Sequence, residues 1–362
     1  MTRWDLGETG FLCDRREMLH SVVTLDQAAA IGISERKAYR YAKNGTWRKL
    51  QSGIFLTNPK LVDDELWKAE LSASLLMGGE LARVSHRSAA ILHRFDGVTE
   101  RALDVTIPMS GTPKPTKAHR TRVVDLNPVV IDGLRTTSVG RTLLDLASVC
   151  SADVVEQALH SALRGPDPWR PDVWNEALLS EVRKLAMALP NQHANYILRT
   201  VLALRSDSDR PTGSLPETVF LQALRVAGVP VVCQPTLRIV DRRGVNLDTL
   251  YPDFAVIAPD FLLEVDGLEA HSSESSLSRD LKRQNKLQLV FPIRRYSAVQ
   301  ILTDAAGAAM EVKQVLTRLQ NSGVPRFPNI TVSYSQNEIL VVDSSRDARQ
   351  EALHRSKSFR AA

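Results

Sequence analysis

The chain has 362 residues, of which 43% are hydrophobic and 24% are charged, and its 46 basic residues against 41 acidic ones give a net charge of +5. This composition is ordinary for a soluble globular protein, and the length predicts two or three domains rather than one core. The three cysteines, Cys13, Cys150 and Cys233, are too widely spaced for a disulfide framework or a zinc motif, so we expect reduced thiols.

The same sequence excludes a membrane protein. No apolar run approaches the ~18–20 residues that a membrane span needs, and we find no signal peptide before the first folded segment. We therefore expect a cytoplasmic protein with no membrane partner. The charge of +5 is only mildly basic, so nucleic-acid binding has to be argued from local patterns.

Residues 1–20 form a polar lead, and residues 21–58 carry the first informative pattern. Thr24 and Gln27 form a capping box for a short helix, and Ser34 is the expected N-cap of a second helix that closes at Asn44-Gly45. Two short helices joined by a tight turn predict a helix-turn-helix. The next segment, WRKLQSGIFLT, alternates as two strands around a Gly turn and predicts a wing.

A winged helix-turn-helix places its second helix in the major groove, and basic wing residues reach phosphates. The candidate DNA contacts are Ser34, Arg36, Lys37, Tyr39, Arg40, Lys43, Arg48 and Lys49. The alternative is a small structural helix pair with a solvated basic face.

The segment VVTLDQAAAIGISERKAYRYAKNGTWRKLQSGIFL also resembles the N-terminal domain of the abortive-infection antitoxins of type IV toxin–antitoxin systems. The resemblance implies DNA binding, repression of the protein's own operon and a cognate toxin as partner. Residues 59–205 continue it as an α+β region followed by connecting helices. The motifs SHRSAA and TSVGRTLLDLA are interpreted as scaffold, and His86 and His93, without a carboxylate between them, as packing and capping residues rather than metal ligands.

The segment from 251 to 285 carries the strongest chemical pattern. Two apolar runs, PDFAVI and FLLEV, predict buried strands, and the Ala258-Pro259-Asp260 turn between them predicts a hairpin. Asp253 and Glu264 then face each other, and two converging carboxylates suit Mg²⁺ or Mn²⁺. The alternatives are that Asp253 caps a turn and that Glu264 pairs with an arginine.

The order PDF, LLEVDG, H, RD-x-x-R and IRRY resembles the very-short-patch-repair-like branch of the PD-(D/E)xK nuclease superfamily, over the last third of the chain. The resemblance implies three metal ligands: Asp253, Glu264 and, from the preceding helix, Glu217. It also places Asp266, His271 and Asp280 near the site. Glu217 has a second interpretation, as an acidic residue that the helix dipole favours in a first turn.

The chain departs from that superfamily in one respect. The catalytic lysine should stand two residues after Glu264, where this chain has Asp266. Lys282 on the following basic helix is a candidate substitute, with Asp266 and His271 as further candidates to orient water. Arg279 and Arg283 are expected to neutralise phosphate charge.

We therefore predict a multidomain α+β and α/β protein. Its predicted parts are a lead (1–20), a winged helix-turn-helix (21–58), an α+β middle region (59–205), a restriction-endonuclease-like α/β domain (206–322), and a strand pair with a basic tail (323–362). The predicted function is Mg²⁺-dependent hydrolysis of double-stranded DNA. The alternative is an antitoxin or repressor of its own operator whose nuclease fold is degenerate. Both families often act as homodimers, although no sequence feature marks a dimer face.

Overall fold

A computed structural model describes residues 19–109, 118–121, 127–167, 170–188, 193–205, 209–256, 261–267, 291–322, 330–335 and 337–343. The chain forms two units, one of residues 1–155 with 181–199 and the other of residues 156–180 with 200–362. Most of the predicted lead and the basic tail from residue 344 lie outside the described residues.

The first unit begins with a helix pair on a small antiparallel sheet. After a 3-10 turn (Leu19–Ser21), the elements are β1 (Val22–Thr24), α1 (Leu25–Ala30), α2 (Glu35–Lys43), β2 (Arg48–Gln51) and β3 (Ile54–Leu56), with the strand order β1-β3-β2. The predicted capping box is confirmed, because the Gln27 N–H donates to Thr24 Oγ1 and the Thr24 N–H donates to Gln27 Oε1. Gly53 closes the β2–β3 turn at φ +71°, a left-handed conformation that glycine adopts without a steric penalty.

One prediction for this region needs correction. Ser34 holds the N-cap position of α2, but its side chain makes no capping hydrogen bond. The helix pair is instead fixed by apolar packing of Ala28, Ile33, Ala38 and Phe55, all fully buried. Burying a side chain the size of Phe55 contributes about 1.5–3 kcal/mol, so packing outweighs the missing cap.

The rest of the first unit is a mixed five-stranded sheet with helices. The elements are α3 (Asp63–Gly78), β4 (Arg83–Val84), α4 (His86–Leu92), β5 (Val105–Pro108), β6 (Ala118–Thr121), β7 (Val129–Ile131), β8 (Leu134–Thr136) and α5 (Val139–Leu146). Their strand order is β6-β5-β4-β8-β7. The α3 side chains Trp67 and Leu71 pack on Val84 and Ile107 of this sheet. Three helices follow in the chain: α6 (Ala152–Leu163), α7 (Glu176–Ala188) and α8 (His193–Ala203).

The second unit contains two four-stranded sheets. The elements are α9 (Leu215–Val226), β9 (Val231–Cys233), β10 (Thr236–Val240), β11 (Asn246–Leu250), β12 (Phe254–Val256), β13 (Phe261–Asp266), β14 (Ile293–Ser297), α10 (Ala298–Ser322), β15 (Ile330–Ser335) and β16 (Glu338–Asp343). One sheet has the order β14-β13-β12-β9 and the other β11-β10-β16-β15. The predicted strand pair near the C-terminus is confirmed as β15 and β16.

The β12–β13 hairpin is buried on both of its faces, as its apolar sequence predicts. Phe254 and Leu263 pack with α9 and α10, whereas Ala255 and Leu262 pack with residues of β10 and β16. Strands that are buried on both faces have a nearly continuous apolar sequence. The carboxylates at its open end are therefore held by a rigid, well-packed element.

The architecture agrees with the predicted class at a coarse level, since it is a mixed α/β protein with several sheets. Among the described residues, no helix is both long enough and apolar enough to cross a lipid bilayer.

Candidate functional site

One exposed face of α2 is basic. Arg36, Tyr39, Arg40 and Lys43 follow the spacing i, i+3, i+4, i+7, so they lie along one side of the helix, and all four are exposed. Ala38 lies on the buried side of the helix. We call these four residues the α2 face.

The β2–β3 hairpin extends this face. The Lys49 Nζ lies 5.4 Å from the ring centroid of Tyr39, within the range of a cation–π contact. Arg48 is exposed, and its Nη2 lies 3.7 Å from Glu70 Oε1. Lys37 is half-buried, and its Nζ lies 5.7 Å from the centroid of the Tyr41 ring. Lys49 therefore extends the basic surface from the α2 face onto the hairpin, whereas Arg48 lies beside Glu70 and Lys37 is set back.

A row of polar residues crosses one end of the β14-β13-β12-β9 sheet. The register of β9 with β12 and of β12 with β13, continued by one residue, places Gln234, Asp253 and Glu264 opposite one another. The Gln234 N–H donates to the Asp253 carbonyl at 2.9 Å, so the register holds there. In the parallel register of β13 with β14, Glu264 lies opposite Arg295. We call Gln234, Asp253, Glu264 and Arg295 the polar row.

The two carboxylates of the polar row are candidate oxygen ligands for a metal ion. Opposite residues of an antiparallel pair have Cβ atoms about 4.5–5.5 Å apart, close enough for one ion to reach both side chains. Asp253 Oδ2 accepts a 2.7 Å hydrogen bond from the Val265 N–H, and Glu264 is only 3% exposed. Mg²⁺ prefers oxygen ligands and commonly takes one or two carboxylates while keeping several waters.

A complete protein cage for a metal is absent from the described part of the chain. No group of three or more His, Cys, Asp or Glu side chains there could hold a metal ion. Asp253 and Glu264 are therefore two candidate ligands without a third one among the described residues.

Arg295 brings a positive charge next to Asp266. Its Nε–H donates to Asp266 Oδ2 at 3.1 Å and its Nη2 donates to Asp266 Oδ1. The pKa of Arg295 is raised first by this hydrogen-bonded pair, and also by the charges of Glu264 and Asp253. Sequence reasoning missed Arg295, although the IRRY motif contains it, because only strand pairing reveals its neighbour Glu264.

Glu217 is joined to the polar row through Gln234. Its Oε2 accepts from the Gly213 N–H at 2.6 Å and from Gln234 Nε2 at 2.7 Å, and its Oε1 accepts from Ser214 Oγ at 2.8 Å. Burial raises the pKa of Glu217, and these three donors oppose that effect. The Glu217 carboxylate thus accepts hydrogen bonds at the N-terminus of α9 and also fixes the Gln234 side chain.

We expect Glu217→Gln to lower the free energy of unfolding by about 1–3 kcal/mol, because its amide NH₂ would face one of three donors. Mn²⁺ affinity should fall much less than in Glu264→Gln. Urea unfolding and calorimetric titration measure the two effects. The control is Glu338→Gln, which alters an exposed carboxylate paired with Arg238 and should change neither. An equal loss of Mn²⁺ affinity in Glu217→Gln would instead make Glu217 a metal contact through water.

The other predicted site residues of this region lie outside the described residues. They are His271, Arg279, Asp280, Lys282 and Arg283.

A second cluster of ionisable side chains lies in the first unit, where the sequence suggested only scaffold. The Asp104 carboxylate accepts from His119 Nε2 at 2.9 Å and from Arg87 Nε at 3.2 Å. The ring of His86 stacks on that of His119 with centroids 3.6 Å apart. A carboxylate that holds a half-exposed histidine fixes the orientation of its imidazole. No sequence signal marks this cluster, because His-Arg pairs occur at 86–87, 93–94, 119–120 and 354–355 alike.

His93 has the packing role that the sequence predicts. Its Nε2 lies 2.8 Å from the Thr137 carbonyl, and its ring stacks on Phe95 with centroids 5.2 Å apart. Burial lowers the pKa of His93, so the ring is neutral near pH 7.

The buried His86 predicts a loss of stability in acid. Burial is the main reason that its pKa falls to about 3, so between pH 6.5 and 3 the unfolded chain binds a proton that the folded chain does not. The contribution is complete above pH 6.5 and declines as the pH falls, by a few kcal/mol (roughly 3–5) at pH 3. Urea unfolding between pH 7 and 3.5 measures it. His86→Gln should flatten this dependence, and an unchanged slope would contradict the assignment.

Comparison with known proteins gives no family for this chain. It matches no protein-family model and no curated protein.

Proposed function

We propose that this protein binds duplex DNA through the α2 face and the β2–β3 hairpin and hydrolyses phosphodiester bonds at the polar row with Mg²⁺. The observation that carries the proposal is the polar row itself, which sets two carboxylates side by side at the end of a buried hairpin with an arginine on the next strand. Oxygen ligands beside a guanidinium suit a phosphodiester substrate, whose charge must be balanced during reaction.

The DNA-binding part of the proposal rests on α2. A helix pair, an antiparallel hairpin and an exposed basic helix face are the parts of a winged helix-turn-helix. Three cations on the α2 face and two on β2 suit the phosphates that flank a major groove. Tyr39, held by Lys49, adds a flat group that can contact sugar or base edges.

In this proposal Asp253 and Glu264 hold the metal. When bound, Mg²⁺ polarises the scissile phosphate and lowers the pKa of a coordinated water. Gln234 fixes the Asp253 backbone, and Glu217 fixes the Gln234 side chain. Arg295 neutralises charge on the phosphate, while Asp266 holds the guanidinium in place.

Metal binding is the first test. Calorimetric titration of Mn²⁺ should give saturable binding to the wild type and none to the double variant Asp253→Ala/Glu264→Ala. Duplex DNA incubated with Mg²⁺ should be cut by the wild type and left intact by that variant. A double variant of exposed carboxylates of the second unit, Glu311→Ala/Glu338→Ala, serves as the matched control. Intact DNA in every reaction, with single-stranded and mismatched substrates included, would refute the hydrolytic function.

A second candidate function is repression of the protein's own operon by a DNA-binding antitoxin with an inactive nuclease fold. The observation that favours it is the Arg295 guanidinium, because a fixed cation beside the two carboxylates already supplies part of the charge that a metal would bring. Footprinting on the protein's own promoter should then show protection that the α2 face variants lose. Protection without Mn²⁺ binding would support this function, and no protection would count against it.

A further inference from the structure

A cavity of about 380 Å³ lies beside β9 in the second unit. Its lining includes aliphatic side chains, among them Leu221, Val229 and Val231, which we call the aliphatic wall. It also includes three arginines, Arg205, Arg210 and Arg225. Ligand sites are usually concave and mostly apolar, with volumes of about 300–1,000 Å³ and a few placed polar groups.

Arg210 and Arg225 are held in place by the protein, whereas Arg205 is buried, with its Nη1 beside His160 and its Nη2 bonded to the Asp209 carbonyl. Arg210 Nη1 donates to the Gln234 carbonyl and to Thr236 Oγ1, both at 2.8 Å. Arg225 Nη1 donates to both carboxylate oxygens of the buried Glu156, at 3.0 and 3.2 Å. A guanidinium has five N–H donors, so groups anchored through Nη1 keep donors for a ligand. Pre-positioned arginines are suited to phosphate and carboxylate oxygens.

Two carboxylates offset part of this charge, Asp209 in the lining and Glu156 against Arg225, so three arginines leave a net charge of +1. Asp209 is the one acidic side chain among the described residues that line it. His160 is 1% exposed, and its pKa is lowered by burial, so it is neutral at pH 7. Burial raises the pKa of the Cys233 thiol to about 12, which excludes a reactive thiolate and leaves reversible binding as the chemistry.

We infer that this cavity binds a small organic phosphate of about mononucleotide size, with the phosphate on the arginines and the organic body against the aliphatic wall. The arginines favour the anionic phosphate group, and the aliphatic wall adds affinity for a flat or hydrophobic organic group. The inference does not depend on the hydrolytic function proposed above, because neither Asp253 nor Glu264 lines the cavity.

The test uses deoxyadenosine 5′-monophosphate as the probe, titrated calorimetrically into the full-length protein without divalent metal. Deoxyadenosine and inorganic phosphate are titrated separately. We expect saturable binding of the nucleotide, at least tenfold weaker binding of inorganic phosphate, and no measurable binding of the nucleoside. Equal affinity for nucleotide and nucleoside would overturn the role of the arginines. Equal affinity for nucleotide and phosphate would overturn the role of the wall.

Two variants localise the binding. Arg210→Gln removes a charge and should weaken nucleotide binding about 10–100-fold, whereas Arg210→Lys should restore much of it. Leu204→Trp fills the cavity from its partly exposed rim and should abolish binding without any change of charge. Arg225 is left intact, because its replacement would leave the buried Glu156 carboxylate without its charged partner.

The matched control is Arg238→Gln, an exposed arginine on β10 that does not line the cavity. It should bind the nucleotide like the wild type, and circular dichroism melting should show that every variant is folded. Nucleotide binding that is absent in the wild type, or that falls equally in Arg238→Gln and Arg210→Gln, would overturn the inference.

Discussion

Replacing Arg295 with glutamine is expected to slow Mg²⁺-dependent cleavage of duplex DNA by about 10²–10³-fold, the usual cost of losing a group that stabilises transition-state charge. The same change should tighten Mn²⁺ binding, because a cation beside Asp253 and Glu264 repels a divalent ion. Two effects of opposite sign distinguish this role from simple misfolding, which would weaken both. Single-turnover cleavage and calorimetric titration measure them.

Arg294 provides the control for this prediction. It precedes Arg295 on β14, and successive residues of a strand point to opposite faces. It is also exposed. Arg294→Gln removes the same charge and should leave metal affinity near the wild-type value. If Mn²⁺ binding weakened in Arg295→Gln, the arginine would be organising the ligands through Asp266, and the proposed charge balance would be wrong.

The double variant Arg40→Ala/Lys43→Ala is expected to weaken binding to duplex DNA about 10–100-fold near 0.15 M salt. Each phosphate contact that is lost should lower the slope of log K against log salt concentration by about 1, so the slope should fall by about 2. Fluorescence anisotropy at several salt concentrations gives both numbers.

A variant with the same loss of charge checks that the effect is local. Lys60 and Arg101 are exposed cations of the first unit, outside α2 and the hairpin. The double variant Lys60→Ala/Arg101→Ala should leave the salt slope within experimental error of the wild type. An equal drop in both variants would mean that net charge, rather than the α2 face, attracts the DNA.

Local sequence signals were sufficient where local chemistry decides the structure. The capping box at Thr24 and the left-handed Gly53 fix the ends of short elements, so those elements were predicted almost to the residue. The register of β12 with β13, continued by one residue, agrees with the predicted opposition of Asp253 and Glu264. The predicted turn itself lies outside the described residues. In each case the interacting residues are near one another in the chain.

Contacts between distant strands were not predictable in the same way. Arg295 meets Glu264 only through the parallel pairing of β13 with β14, and the sequence between them gives no register. His119 likewise reaches Asp104 only because β6 lies beside β5. No local sequence pattern marks these residues, because their side-chain contacts depend on which strands become neighbours in the sheet. Ser34 shows the reverse error, since a favourable N-cap residue there makes no capping bond.

The polar row has a thermodynamic consequence, because its four residues lie in, or directly beside, four different strands. The unfolded chain has no such arrangement, so a ligand that bridges Asp253 and Glu264 binds the folded unit alone. Binding of this kind adds RT ln(1 + [L]/Kd) to stability, or about 2.7 kcal/mol at a hundredfold excess over Kd. Binding of the proposed metal and resistance of the second unit to unfolding would therefore change together, so the melting temperature with and without Mn²⁺ tests the proposal.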